Sequence, residues 1–151
     1  MAISATEYET LRAWSAMFIE RILPVPAGLP AESHPIAVLD GMALKAPARA
    51  RQGLAMMIGD FIEDTSHLPA GEVKHIDAEF GSAGLPTLSE MRLRFMRRIK
   101  RIIKRGSIKN DDEYYLIRNA VEGLAVNEEA HLWQLLADYE ARSVVTKYAK
   151  L

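Results

Sequence analysis

Three of the four histidines stand three residues after a carboxylate: Asp64 before His67, Glu72 before His75, and Glu128 before His131. On a helix that spacing puts both side chains on one face, as in the metal-holding helices of four-helix di-iron proteins. A metal-dependent enzyme using these pairs is one expectation, with His67, His75, Glu72 and Asp64 as the candidate ligands. The surrounding sequence weakens it. A di-iron centre needs two Glu-x-x-His motifs and two more inward glutamates on four long helices. Here Glu72 and His75 lie in a short segment between Pro69 and Gly81. Glu128 and His131 lie in a first helical turn, where acids complement the helix dipole. There is no cysteine, so thiolate sites and cysteine nucleophiles are excluded. No Gly-x-Ser-x-Gly elbow, P-loop or Gly-x-Gly-x-x-Gly motif occurs. The expectation is a non-enzymatic chain with no metal, no cofactor and no catalytic residue.

The other chemistry-bearing feature is charge. Nine of the nineteen Lys and Arg residues fall between Arg92 and Lys109, a stretch without Asp or Glu. Residues 1–91 carry 6 bases against 12 acids and residues 110–151 carry 4 against 8, so the net charge of −1 conceals one cationic segment. On a helical wheel Leu88, Met91, Phe95, Met96, Ile99, Ile102 and Ile103 share one side. Arg94, Arg97, Lys100, Arg101, Lys104 and Arg105 share the other. That outer face is the candidate surface for a partner or a polyanion. Like charges on one face repel, so an anionic neighbour is expected. Asp60, Glu63 and Asp64, or Asp111, Asp112 and Glu113, are internal candidates. Nucleic acid is the external alternative, but a pI near 6.4 and the lack of interleaved aromatics argue against it. Acids at Asp111–Glu113 would also repel phosphates at the start of a helix-turn-helix reading element.

Two members break the pattern. Arg92 falls in the apolar arc and is expected to find an acid of another helix. Leu93 falls among the cations and is an interface candidate, together with the amphipathic aromatics Tyr115 and Trp14.

The elements that position these residues all read as helices, with no sustained alternation and no hairpin turn. The first spans about 5–22, opened by a Ser4–Glu7 capping box and stopped by Pro24. A Pro-rich connection covers 24–35, either a surface strap or a linker that lets the first helix dock on a neighbouring subunit. Helices follow at about 36–44, 47–66 and 70–80, the last closed by Gly81. The cationic helix runs from a Thr87–Glu90 box to Gly106. An Asn110–Glu113 box opens a helix to about 126, and Asn127 caps a last one to about Arg142. The expected fold is all-α: a single domain, 1–151, forming one compact irregular or orthogonal bundle of five to seven helices. Residues 1–23 are its N-terminal helix and 36–151 its main body. No apolar run reaches the ~20 residues of a membrane span and no signal-peptide pattern is present, so a soluble, cytoplasmic chain is expected. The leading function is a helical interaction or regulatory protein with a protein partner or a second copy of itself, possible as a homodimer. Polyanion binding through the cationic face is the alternative.

Overall fold

The computed structural model describes residues 2–121 and 126–148, and every regular element among them is helical. In chain order these are α1 (Tyr8–Arg21), a 3-10 turn (Ala31–Ser33), α2 (Pro35–Lys45), α3 (Pro47–Asp64), α4 (Ala70–Ser82), α5 (Leu88–Arg105), α6 (Asp111–Val121) and α7 (Val126–Tyr148). They divide into two compact units, residues 2–92 and residues 93–151, with the boundary inside α5.

The first unit is built on an aromatic cluster. Leu11, Trp14 and Phe18 recur on one side of α1, and all three are buried. Phe18 stacks on Phe61 of α3 at 4.6 Å, and Trp14 lies 4.9 Å from Phe18 and 5.6 Å from Phe80 of α4. The Trp14 indole N–H donates to the Pro86 carbonyl at 2.9 Å, so its one polar group is satisfied. Each ring leaving water contributes roughly 2–3 kcal/mol. Trp14 is 0% exposed, which removes it as an interface residue. The same observation corrects the picture of α1 as a detachable docking helix, since its apolar stripe is consumed within its own unit. Proline sets the starts of α2 and α3, at Pro35 and Pro47. His34 caps α2 by accepting the Ile36 N–H on Nδ1 at 3.2 Å.

Several ends differ from expectation for identifiable reasons. Glu7 accepts from the Ser4 N–H at 3.0 Å, but residues 5–7 form a turn and α1 starts at Tyr8. Helix α4 continues through Gly81, and the left-handed residue is Gly84 (φ 72°), where Leu85 N–H closes on Phe80 O at 3.0 Å. Nothing after Gly81 breaks a helix until Gly84 and Pro86. Arg92 donates to the Thr65 carbonyl rather than to a carboxylate, so the C-terminal end of α3 supplies its negative partner.

The second unit contains α5 from Leu93 onward, α6 and α7. Gly106, at φ 73°, ends α5 in the left-handed conformation that a side chain would strain. Helix α6 packs on α7. Ile117, Val121, Leu132, Leu135 and Leu136 are buried. Polar ties line the same seam: Tyr114 donates to Glu140, Tyr139 donates to Asp111 at 2.6 Å, and Arg142 donates to the Ile108 carbonyl at 3.2 Å. Helix α7 runs to Tyr148, past the expected end at Arg142. It begins at Val126, so the expected cap Asn127 lies inside it, with a side chain outside the described set.

Candidate functional site

The buried side of α5 follows from its period: Leu88, Met91, Phe95, Ile99 and Ile102 are all 6% exposed or less. Its first turn is fixed twice. Thr87 and Glu90 bond reciprocally, Thr87 N–H to Glu90 at 2.8 Å and Glu90 N–H to the Thr87 hydroxyl at 3.1 Å. Asp77 of α4 accepts the Ser89 N–H at 3.0 Å and its hydroxyl at 2.6 Å. The start of α5 is thereby fixed.

The outer face then separates into two sectors. With Ile99 at 0° and 100° per residue, Arg94, Arg105 and Arg98 lie at about 220–260°. Arg105 and Arg94 are engaged. Arg105 pairs with Glu113 and also donates to the Ser107 carbonyl. Arg98 is half-buried, and one nitrogen of its guanidinium is buried with no hydrogen-bond partner among the described residues. Burial lowers the Arg98 pKa from its ordinary value, against the pull of Glu113 and Asp112.

Glu113 organises this sector. It is 8% exposed. It accepts the Lys109 N–H at 2.9 Å, while its own N–H bonds the Asn110 side chain at 3.0 Å. Burial alone would raise its carboxyl pKa; the Lys109 N–H, the Arg105 hydrogen bond and the Arg105 and Arg98 charges outweigh that and leave it below the ordinary range. The turn at Gly106 folds α6 back so that this carboxylate meets a cation eight residues earlier in sequence.

The second sector, at about 100–200°, holds Lys100, Leu93, Lys104, Arg97 and Arg101. All five are exposed, Leu93 by 57%. Arg101 donates weakly to the Arg97 carbonyl at 3.4 Å, and among the described residues no carboxylate pairs with any of these four cations. From Leu93 to Lys104 the strip is roughly 16 Å long, at 1.5 Å per residue. It presents four positive heads around one apolar side chain.

The other candidates are placed apart from this strip. Tyr115 is half-exposed on α6, its ring edge-on to Tyr114 at 5.3 Å. Asp64, His67, Glu72 and His75 are all exposed, and His67 falls in the turn after α3 rather than on a helix. Among the described residues no group of three or more His, Asp and Glu is placed to hold a metal ion. The side chain of Glu128, in the third histidine pair, lies outside the described residues. No described helix is long and apolar enough to cross a membrane.

The Pro-rich connection adds a feature that the sequence reading missed. Together with α1 and α2 it borders an open cleft of about 760 Å³, lined by Ala16, Ile19, Val25, Ile36 and Ala37 among others. Arg12 on its wall grips Asp40 through two hydrogen bonds, and that contact, with the Arg12 charge, holds the Asp40 carboxyl below its ordinary pKa. The pair ties α1 to α2. No protein family, curated protein or solved structure matches this chain.

Proposed function

We propose that this chain is a non-enzymatic binding protein whose working surface is the open sector of α5: Arg97, Lys100, Arg101 and Lys104 around Leu93. The observation that supports the reading is the contrast within one helix. On one flank Arg105 pairs with Glu113 and Arg94 is engaged, whereas the cations on the other are exposed without carboxylate partners among the described residues. Exposed like charges gain from an anionic partner, and a leucine among them gains from an apolar contact. An acidic protein surface with an apolar contact point fits both. Exposed cations alone would also suit nucleic acid, which is the second reading.

Fluorescence anisotropy with three probes separates these. One is an acidic peptide with leucines between its glutamates, the second replaces those leucines with serine, and the third is a random DNA duplex. The leucine-bearing peptide is expected to bind best, and Leu93→Ser is expected to erase its advantage over the serine peptide. Tighter binding of the duplex, unchanged by Leu93→Ser, favours nucleic acid. No binding of any probe at low salt removes the proposal.

A further inference from the structure

The cleft of the first unit takes one wall from α1, one from α2 and a third from the Pro-rich connection. On α1, Arg12, Ala16 and Glu20 recur every four residues, so they follow one face for roughly 12 Å at 1.5 Å per residue. Between the walls the lining is apolar. Ile19 of α1 and Ile36 of α2 are buried, and Val25 of the connection is half-buried. The connection is stiff for its length. Pro24, Pro26 and Pro30 each fix φ. The Leu29 N–H closes a turn on the Pro26 carbonyl at 3.2 Å, with Gly28 at φ 87° in the left-handed position that glycine fills. Such a wall loses little freedom when a ligand enters. At about 760 Å³ the cleft has the size of small-molecule sites, roughly 300–1,000 Å³, which combine an apolar lining with a few polar groups.

The charges select the occupant. Arg12 is the one lysine or arginine among the lining residues, and its guanidinium is committed to Asp40 through two hydrogen bonds. His34 accepts the Ile36 N–H on Nδ1, so that nitrogen carries no proton and the ring is neutral, with its donor at Nε2. Glu20 remains. It is exposed, and it makes no hydrogen bond or ion pair among the described residues. Its neighbour Arg21 pairs instead with Glu79 of α4 at 3.3 Å. The lining therefore carries one net negative charge, two helical turns from the Arg12–Asp40 pair. An anionic ligand would be repelled by Glu20 and find no unpaired cation. A cation with a hydrocarbon body gains from both parts of the cleft.

We infer that this cleft binds a small organic amine: a compact aromatic or branched body seated on Ile19, Val25 and Ile36, with its ammonium group on Glu20. The site lies wholly within the first unit and is independent of the cationic strip on α5.

Amide NMR titrations of the isotope-labelled chain test this with three probes of one shape: naphthylethylamine, naphthylethanol and naphthylpropanoate. Shifts are expected in α1, in residues 22–34 and in α2, with the amine saturating below about 1 mM. The amine is expected to bind at least about threefold more tightly than the alcohol, by an advantage that shrinks as salt screens the exposed carboxylate, and the propanoate is expected to bind weakest. Glu20→Gln changes only an exposed side chain, so the fold is retained, and it is expected to bring the amine level with the alcohol. Ala37→Trp fills the cleft from an exposed position on α2 and is expected to block all three probes. Amine shifts that do not saturate by about 1 mM overturn the inference. So do equal affinities for amine and alcohol in the native chain, an amine preference that survives Glu20→Gln, or binding unchanged by Ala37→Trp.

Discussion

Replacing Glu113 by Gln tests the division of the α5 cations into two sectors. The amide keeps a neutral acceptor for the Lys109 N–H but removes the negative charge that meets Arg105. Removing one partner of a fully buried ion pair costs roughly 3–5 kcal/mol. The Glu113 side chain is 11% exposed but that of Arg105 is 31% exposed, so solvent screening reduces the figure. About 2 kcal/mol remains. For a chain of 151 residues that corresponds to a fall in Tm of roughly 4–8 °C. The triple reversal Arg97→Glu, Arg101→Glu, Lys104→Glu alters only exposed side chains and is expected to shift stability by no more than ~0.5 kcal/mol per position. Thermal unfolding followed by circular dichroism makes the comparison. The pH dependence has a fixed sign. Because the folded Glu113 carboxyl lies below its ordinary range, its contribution is complete above that range and is lost as pH falls through the folded value. Glu113→Gln therefore flattens the acid limb of the stability curve. A variant within about 1 °C of the native chain, or a triple reversal as costly as Glu113→Gln, refutes the division.

Two further outcomes follow from the packing. Trp14→Phe removes the hydrogen bond to the Pro86 carbonyl and part of the cluster volume, at an expected cost of roughly 2–3 kcal/mol in urea unfolding; a loss below about 0.5 kcal/mol contradicts the burial described. Tyr8, raised first by burial, and Tyr114 and Tyr139, raised first by hydrogen bonds to Glu140 and Asp111, all ionise above the ordinary phenol value. The neutral phenol is the form favoured by folding, so this contribution is present below pH ~10 and lost as pH rises through the folded values. Tyrosinate absorbance of the native chain is expected to rise later with pH than in urea, and a coincident rise counts against these bonds.

The helical inventory was legible because apolar spacing and capping chemistry agree. Thr87 with Glu90 forms the full reciprocal box, and Leu11, Trp14 and Phe18 show the buried stripe of α1 directly. Trp14 was misjudged by residue type, since an amphipathic ring suits an interface as well as a core; its place on the stripe was the better guide. The split among the α5 cations was not legible. A wheel puts Arg97 and Arg105 on the same outer face, and only the fold-back at Gly106 brings Glu113 to one and not the other. The cleft beside Arg12 and Asp40 depends on how the prolines of the connection turn, which no spacing specifies.

The most direct test of the cationic strip is to compare its two sectors in one binding assay. Anisotropy titrations of the leucine-bearing acidic peptide are run at low and moderate salt with the native chain, the open-sector triple reversal at Arg97, Arg101 and Lys104, and the paired-sector variant Arg105→Gln. The expected result is binding by the native chain that weakens with salt, near-native binding by Arg105→Gln, and at least tenfold weaker binding by the triple reversal. Equal binding by the triple reversal and the native chain, or a loss confined to Arg105→Gln, contradicts the assignment of function to the open sector.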